Sequence, residues 1–284
     1  MKHIFTLALA LALPGLLIAQ KLSKDFEVSR TSPYDVVDAG SKKYFGLGND
    51  QSLAVKTRGG VVTLLKFDIA TKREVDRKVH SDFPKYTKEQ EILQVEGHIY
   101  YVSEAFDKKT RTFTVSAREI NTDDLSMGEL TTLFTTDREV TATPAALGAQ
   151  PAFGFGFVGG NKFEVISSFD GSKILIRYRL KPKSRKDAEN YDELGFFVFD
   201  NKLNKLWGKE QTMPYTEKEM NNLAYTVASD GTAYMLALVR ESKSVELMSI
   251  TEKDFSTKPL EINKDLVFQK FDLREDDKGN IACV

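Results

Sequence analysis

Hydrophobic and polar residues alternate over short segments that are separated by glycine-containing turns, a pattern that predicts β-strands. The clearest unit runs from residue 163 to residue 212. Its four predicted strands are 163–168, 173–180, 195–199 and 206–212. Asp170-Gly171 between the first two strands is a strong signal for a two-residue hairpin, and residues 200–205 form the turn between the last two.

The same order of strand, glycine turn and strand recurs along the chain. The turn glycines are Gly40, Gly97, Gly171, Gly231 and Gly279, spaced 57, 74, 60 and 48 residues apart. Such spacing is typical of an array of similar units. We therefore predict an all-β fold, a β-propeller of four-stranded antiparallel blades with about four blades and the start of a fifth. A β-sandwich or mixed β fold is the alternative, because several short strands with turn signals suit it too.

The first repeat is predicted to have strands at 34–38, 43–47, 61–67 and 74–79, with a turn at Ala39-Gly40 and a loop over 49–60. A lone strand at 24–30 precedes it. Because closure removes exposed sheet edges, we expect this strand to complete a last blade encoded beyond residue 284, so that the ring is incomplete. A short helix is predicted at 216–223, where Thr216 and Glu219 have the spacing of a capping box.

The N-terminus has the pattern of a secretory signal peptide. Lys2 precedes an apolar run over residues 4–18, which is interrupted by Pro14. A membrane anchor is the weaker interpretation, because a spanning helix needs about 20 apolar residues. We predict a signal peptide at 1–19, a propeller domain over 20–284 that continues beyond 284, no transmembrane segment after signal cleavage, and a periplasmic or secreted, cell-surface location.

Charge and cysteine content narrow the class of protein. The chain has 40 Lys and Arg residues against 41 Asp and Glu residues. This near-neutral balance argues against a nucleic-acid partner, which would require a strongly basic surface. Cys283 is the only cysteine, so the chain has no internal disulfide, and we expect stability to come from a packed core.

Motifs for cofactors and metals are weak. Residues 154–159 match the GxGxxG pattern of dinucleotide-binding loops, but strand-forming residues at 163–166 follow where a helix is required. The acidic and histidine groups considered as metal ligands are Asp76, His80, Asp82, Asp272, Asp276 and Asp277. Their spacing does not match a metal-binding motif. We therefore predict neither a cofactor nor a metal.

Candidate catalytic residues do not stand out. Asp192, Glu193 and Glu217 have the chemistry of glycosidase carboxylates, but a chain with 41 acidic residues contains many such sets. The sequence has no nucleophile elbow, HExxH helix or phosphate loop. The basic run at 181–186 is typical of a solvated loop, and the alternative is a patch for an anionic glycan or partner.

The repeated hairpins, together with third strands that end in Phe67-Asp68 and Phe199-Asp200, resemble the degenerate WD40-like β-propellers of exported Gram-negative envelope proteins. This resemblance covers nearly all of the chain after residue 19. It implies a binding scaffold more often than an enzyme. We expect a non-catalytic binding or scaffold protein whose partner is a protein or glycan of the cell envelope. The alternative is a propeller enzyme, or the propeller part of one, that acts on an envelope or extracellular glycan or peptide.

The predicted loops indicate which face binds. In a blade of four antiparallel strands, loops after the second strand and between blades share one face, here called the long-loop face. The long loops predicted there are 49–60, 80–90, 137–162, 181–193 and 213–222. Binding groups concentrate on long loops of a rigid scaffold, and Tyr and Arg often dominate binding energy. The candidate binding residues are Tyr86, Phe153, Phe155, Arg185, Lys186, Tyr191 and Tyr215.

Overall fold

The computed structural model describes residues 37–141, 161–184, 186–261 and 273–283. Within these ranges the chain forms β-strands and one short 3-10 helix at Asp187–Glu189. The strands before residue 142 are β1 Ser41–Gly48, β2 Gln51–Arg58, β3 Val61–Asp68, β4 Arg73–His80, β5 Lys88–Val95, β6 His98–Asp107, β7 Thr112–Ile120, β8 Thr131–Thr136 and β9 Val140–Thr141. Those after it are β10 Phe163–Ser167, β11 Lys173–Leu180, β12 Tyr191–Asp200, β13 Lys205–Thr216, β14 Met220–Val227, β15 Ala233–Val239, β16 Ser244–Ile250, β17 Phe255–Leu260, β18 Leu273–Glu275 and β19 Ile281–Cys283.

Four consecutive sets of strands form four-stranded antiparallel sheets. Blade 1 is β1–β4, blade 2 is β5–β8, blade 3 is β10–β13 with β9 added at β11, and blade 4 is β14–β17. A further hairpin, β18–β19, follows. The prediction of an all-β propeller with four blades and the start of a fifth is therefore confirmed. In the part of the chain that is described, no helix is long and apolar enough to cross a membrane.

Aspartate side chains shape the tight turns that the sequence indicates. The Asp170 carboxylate accepts hydrogen bonds from the Ser172 amide at 3.0 Å and the Ser168 hydroxyl at 2.6 Å. Gly171 follows with a φ of 72°, which glycine adopts without a steric penalty. Asp230 accepts from the Thr232 amide in the equivalent turn of blade 4. The Asp-Gly pairs thus lie in hairpin turns, because the aspartate bonds its own backbone two residues on. The connections run over 168–172 and 228–232, so they are longer than the two-residue turn predicted at Asp170-Gly171.

The hydrophobic core lies mainly between adjacent blades. Phe134 of blade 2 stacks on Phe197 of blade 3 with ring centroids 4.1 Å apart. Between blades 3 and 4, the buried Trp207 ring donates its Nε1 hydrogen to the Gly231 carbonyl at 3.0 Å. Burial of a large apolar side chain contributes about 1.5–3 kcal/mol. Face-to-face packing therefore fixes neighbouring blades against each other and makes a rigid support for their loops.

The strand assignment predicted for blade 1 is wrong. Segment 43–47 lies in the first strand, not the second, and the predicted loop at 49–60 contains the second strand, Gln51–Arg58. Asn49 and Asp50 have φ values of 47° and 54°, as a two-residue type I′ hairpin turn requires. The Asn-Asp turn therefore takes the place predicted for Ala39-Gly40. The predicted strand at 24–30 lies outside the described residues, as does most of that at 34–38.

The short helix predicted at 216–223 is absent. Thr216 ends β13 and Met220 begins β14, so the loop predicted at 213–222 is reduced to three residues. Glu219 accepts hydrogen bonds from both the amide and the hydroxyl of Thr216, each at 2.9 Å. The capping residues predicted for a helix thus close a tight turn between blades. The ten-residue connection 121–130, which follows a third strand, is longer than expected for the face opposite the long-loop face.

Candidate functional site

A cavity of about 310 Å³ opens on the long-loop face at the end of blade 3. We call it the blade 3 cavity. Its walls come from the loop between β11 and β12 and from Tyr191, Asp192 and Glu193 at the start of β12. Thr212 in β13 and Glu217, which follows the end of β13, complete them. Its volume falls at the lower end of the ~300–1,000 Å³ range of small-molecule sites.

The start of β12 directs two consecutive carboxylates to different neighbours. The pairing of β12 with β13 shifts between Tyr191 and Glu193, as at a β-bulge. Asp192 accepts a hydrogen bond from Asn222 of blade 4 at 3.0 Å. Glu193 accepts one from Arg138, which follows blade 2, at 2.7 Å. Successive side chains of a strand point to opposite faces, so this strand end presents a carboxylate on each side of blade 3.

Arg179 holds two carboxylates together at the blade 4 side of the cavity. Its Nη2 lies 2.6 Å from Asp192 Oδ1 and 2.7 Å from Glu217 Oε1. Burial raises the pKa of Glu217, and the Arg179 charge opposes that increase. Because one guanidinium serves both carboxylates, neither is an unpaired charge, yet both keep acceptor capacity at the cavity wall.

A polar layer continues below the cavity between blades 3 and 4. Arg177 is only 4% exposed, forms an ion pair with Glu164, and places its guanidinium carbon 3.5 Å from the centroid of the Tyr225 ring. Asn222 Oδ1, Arg177 Nε and the Tyr225 hydroxyl are buried and have no hydrogen-bond partner among the described residues. Burial raises the pKa of Tyr225 to about 12. Buried polar groups are normally hydrogen-bonded, so this layer has capacity for water or a ligand hydroxyl.

Lysines of the basic run at 181–186 are paired with carboxylates. The pairs are Lys181 with Glu139 at 2.7 Å, Lys183 with Glu193 at 2.5 Å, and Lys186 with Glu189 at 2.8 Å. The Lys183 hydrogen bond lowers the pKa of Glu193. The three lysines therefore present compensated charges rather than a concentrated positive patch, which favours the solvated-loop interpretation over a site for an anionic glycan.

The predicted binding residues fall in different places. Tyr191 is 53% exposed and lines the blade 3 cavity, and Lys186 lies in the adjoining loop. Tyr86 is 71% exposed between blades 1 and 2, with Lys108 Nζ 5.0 Å from its ring centroid. Tyr215 is a partly buried residue of β13, not a loop residue, and donates a hydrogen bond to Glu246 at 2.9 Å. Phe153, Phe155 and Arg185 lie outside the described residues.

The blade 3 cavity is lined by the three carboxylates considered as glycosidase residues, Asp192, Glu193 and Glu217. The sequence alone gave no reason to select them from the other acidic residues. Sequence reasoning missed Arg179 and Asn222. Arg179 lies in a strand of alternating basic and apolar residues, so its pattern is that of an ordinary strand side chain. Only the packing of blade 4 on blade 3 brings Asn222 to Asp192, and no local signal contains that contact.

Three of the residues considered as metal ligands make other contacts, and Asp272 lies outside the described residues. Asp82 pairs with Arg118 at 3.0 Å, and His80 Nε2 lies 2.9 Å from the Leu125 carbonyl oxygen. Asp276 accepts from the Asn280 amide in a turn. Among the described residues, no group of three His, Cys, Asp or Glu side chains is placed to hold a metal ion. The glycine-rich segment 154–159 lies outside those residues.

Comparison with known proteins gives distant likenesses in structure. No protein-family profile and no curated protein matches the sequence. One solved structure that is similar to this chain is an α-L-arabinanase from Penicillium chrysogenum. It has 12% sequence identity and a TM-score of 0.40, over 86% of this chain and 74% of the arabinanase. An apocarotenoid oxygenase from Synechocystis has 9% identity and a TM-score of 0.36, over 78% of this chain and 50% of the oxygenase.

An acylaminoacyl peptidase from Pyrococcus horikoshii has 9% identity and a TM-score of 0.37 over 74% of this chain. The match spans 31% of the peptidase and half of the oxygenase. The arabinanase and the oxygenase have propeller-type folds. Likenesses at these scores carry no inference about activity, and the propeller assignment rests on the sheets themselves.

Proposed function

We propose that this protein is a propeller-based binding protein whose blade 3 cavity takes a neutral carbohydrate. The observation that supports this proposal is the combination of an exposed Tyr191 ring with charge-compensated polar groups at the cavity wall. Sugar hydroxyls both donate and accept hydrogen bonds, so they match a wall that carries carboxylates, lysines and a threonine side by side. An aromatic ring provides a rigid apolar surface for the C–H face of a sugar.

The charges around the cavity favour binding over catalysis. Asp192 and Glu217 share the Arg179 guanidinium, and Glu193 is held by Lys183 and Arg138. A general acid and a base must be free to exchange protons with the substrate. Carboxylates engaged in ion pairs are better suited to accepting hydrogen bonds from ligand hydroxyls.

The experiment is a titration of the full chain with cellohexaose, maltohexaose, xylohexaose and mannohexaose by calorimetry. We expect saturable binding of at least one of them. Tyr191→Ala should weaken that binding about tenfold, equivalent to ~1.4 kcal/mol. Tyr44→Ala is the matched control, because Tyr44 is 64% exposed but lies on blade 1. Absence of binding to all four sugars, or equal affinity in wild type and Tyr191→Ala, would show the proposal to be wrong.

Glycoside hydrolysis is the second candidate function. Four carboxylates line one cavity, those of Glu189, Asp192, Glu193 and Glu217. Burial raises the pKa of Glu217, which favours a protonated acid. A reducing-end assay on the same four hexasaccharides distinguishes the two functions. Turnover that Glu217→Gln abolishes while binding persists would support hydrolysis, and binding without any cleavage supports the carbohydrate-binding function.

We also propose that the protein is exported to the envelope, as a WD40-like propeller of the kind its repeats resemble. The proposal is supported by the short apolar run over residues 4–18 and the basic residue before it. Mass spectrometry of the protein made in a Gram-negative host should find a mature N-terminus at or near Gln20. Soluble cytoplasmic protein that retains Met1 would contradict it.

A further inference from the structure

A second cavity, of about 530 Å³, lies between blades 2 and 3. We call it the blade 2–3 cavity. Its lining includes Thr112 at the start of β7, Thr135 and Thr136 at the end of β8, and Glu210 in β13. These ends of β7 and β8 both reach the long-loop face, so this cavity opens toward the same side of the molecule as the blade 3 cavity.

One arginine connects the two cavities. Arg138 lines the blade 2–3 cavity and donates to Glu210 of the same wall at 2.8 Å. Its other terminal nitrogen donates to Glu193 of the blade 3 cavity at 2.7 Å. The two cavities are therefore separated by one ion-pair network, formed by Arg138 with Glu193 and Glu210. An extended ligand that passes from one to the other meets charged, hydrogen-bonding groups throughout.

The wall beneath Arg138 is fixed by packing. The Tyr178 ring lies against Gly195, and a Cβ atom at position 195 would come within 2.2 Å of the ring. The Tyr178 hydroxyl donates a hydrogen bond to Glu210 at 3.0 Å. Phe134 and Phe163 pack on the same ring. Glu210 is thus held in place from below, so Arg138 keeps its position between the cavities. A preformed wall of this kind lowers the ordering cost of binding.

We infer that the two cavities form one groove across the end of blade 3, and that the ligand is an extended neutral oligosaccharide rather than a single small sugar. This inference rests on the proposed carbohydrate-binding function. The exposed Thr135 hydroxyl gives the second cavity both a donor and an acceptor for further sugar units. The Thr112 hydroxyl donates to the Thr110 carbonyl and keeps acceptor capacity, whereas the buried Thr136 hydroxyl accepts from the Arg138 amide. A disaccharide is accommodated by the blade 3 cavity, and longer chains gain contacts beyond Arg138.

The test compares the best-binding hexasaccharide with its own disaccharide in wild type and two variants. Thr135→Arg places a long side chain in the blade 2–3 cavity. Thr132→Arg is the matched control, because Thr132 is also an exposed threonine of β8 but does not line either cavity. We expect the hexasaccharide to bind wild type at least about tenfold more tightly than the disaccharide, equivalent to ~1.4 kcal/mol.

Thr135→Arg should abolish this advantage and leave disaccharide affinity unchanged, whereas Thr132→Arg should preserve both. Equal affinities of the two sugars for wild type would overturn the extended groove while leaving the proposed function intact. An advantage that survives Thr135→Arg, or an equal loss for both sugars, would also overturn it. If neither sugar binds wild type, the carbohydrate proposal and this inference fail together.

Discussion

Gly195→Ala tests how the wall of the groove is held. Gly195 pairs with Tyr178 across β11 and β12, and the tyrosine ring occupies the space that a side chain at position 195 would need. A Cβ atom there would lie 2.2 Å from Cζ and 2.3 Å from Cε1 of Tyr178. Carbon atoms pack at about 3.5–4.0 Å, so the substitution requires the ring or the strand to move by more than about 1 Å.

The Tyr178 ring is closely packed by other aromatic rings, although it also lines the blade 2–3 cavity. Tyr178 is 1% exposed, and the rings of Phe134 and Phe163 have centroids 5.9 and 5.4 Å from its own. Overpacking a core costs about 1–3 kcal/mol, and complete loss of a buried aromatic side chain by substitution with alanine costs about 3–5 kcal/mol. We expect Gly195→Ala to lower the free energy of unfolding by about 3 kcal/mol. At ~2–4 °C per kcal/mol, Tm should fall by about 6–12 °C.

Urea unfolding followed by circular dichroism measures the loss. Gly46→Ala is the control, because Gly46 lies in β1 and no atom comes within 4 Å of the position that a Cβ atom would take there. It should change stability by less than about 0.5 kcal/mol. In a Tyr178→Ala background the clash is gone, so Gly195→Ala should then cost little. An unchanged midpoint for Gly195→Ala, or the same cost in both backgrounds, would refute the reasoning.

Three further outcomes are expected in urea unfolding. Trp207→Phe removes the hydrogen bond to the Gly231 carbonyl and should cost about 1 kcal/mol, whereas a neutral result would show that this bond contributes nothing. Asp200→Ala removes an acceptor for two turn amides and should also cost about 1 kcal/mol; Asn201→Ala should cost less. The Lys183 hydrogen bond lowers the pKa of Glu193 below its usual 4.5. The contribution of this ion pair to the free energy of unfolding is therefore present above about pH 4.5 and is lost as pH falls through the lowered pKa. Wild type should therefore lose more stability than Glu193→Gln between about pH 5 and pH 3, and parallel curves would contradict this.

The sequence allowed the strands to be predicted where turn chemistry was unambiguous. Asp170-Gly171 and Asp230-Gly231 each specify one turn, because glycine supplies the positive φ and aspartate bonds the following amides. In blade 1 two candidate turns competed. Asn49-Asp50 forms the hairpin although neither residue is glycine, since Asn and Asp tolerate positive φ better than other side chains. To choose between the two turns, one must know which strands pair with each other, and the residues near the turns do not contain that information.

The candidate site was predictable only in part. The choice of the long-loop face rests on loop length, and the choice of Tyr191 rests on residue type. Both are local properties of the sequence. Grouping Asp192 with Glu217 requires knowledge that β12 begins at Tyr191 and that β13 continues to Thr216. The predicted strand from residue 195 was too short, because Asp192 and Glu193 are residues that strands disfavour. Ion pairing with Arg179 and Arg138 offsets that preference, and such pairing is a tertiary effect.

Consecutive carboxylates at one strand end explain why a groove can cross a blade. Because the side chains alternate, Asp192 joins the polar layer shared with Asn222 of blade 4, whereas Glu193 joins Arg138 on the blade 2 side. A site between two blades would need residues from only one face of each sheet. Here a single strand end contributes to both sides of blade 3, so the contacts on the two sides can be removed separately. Loss of Asp192 leaves the ion pair between Arg138 and Glu210 intact. Loss of Glu193 leaves Arg179 with both of its carboxylates.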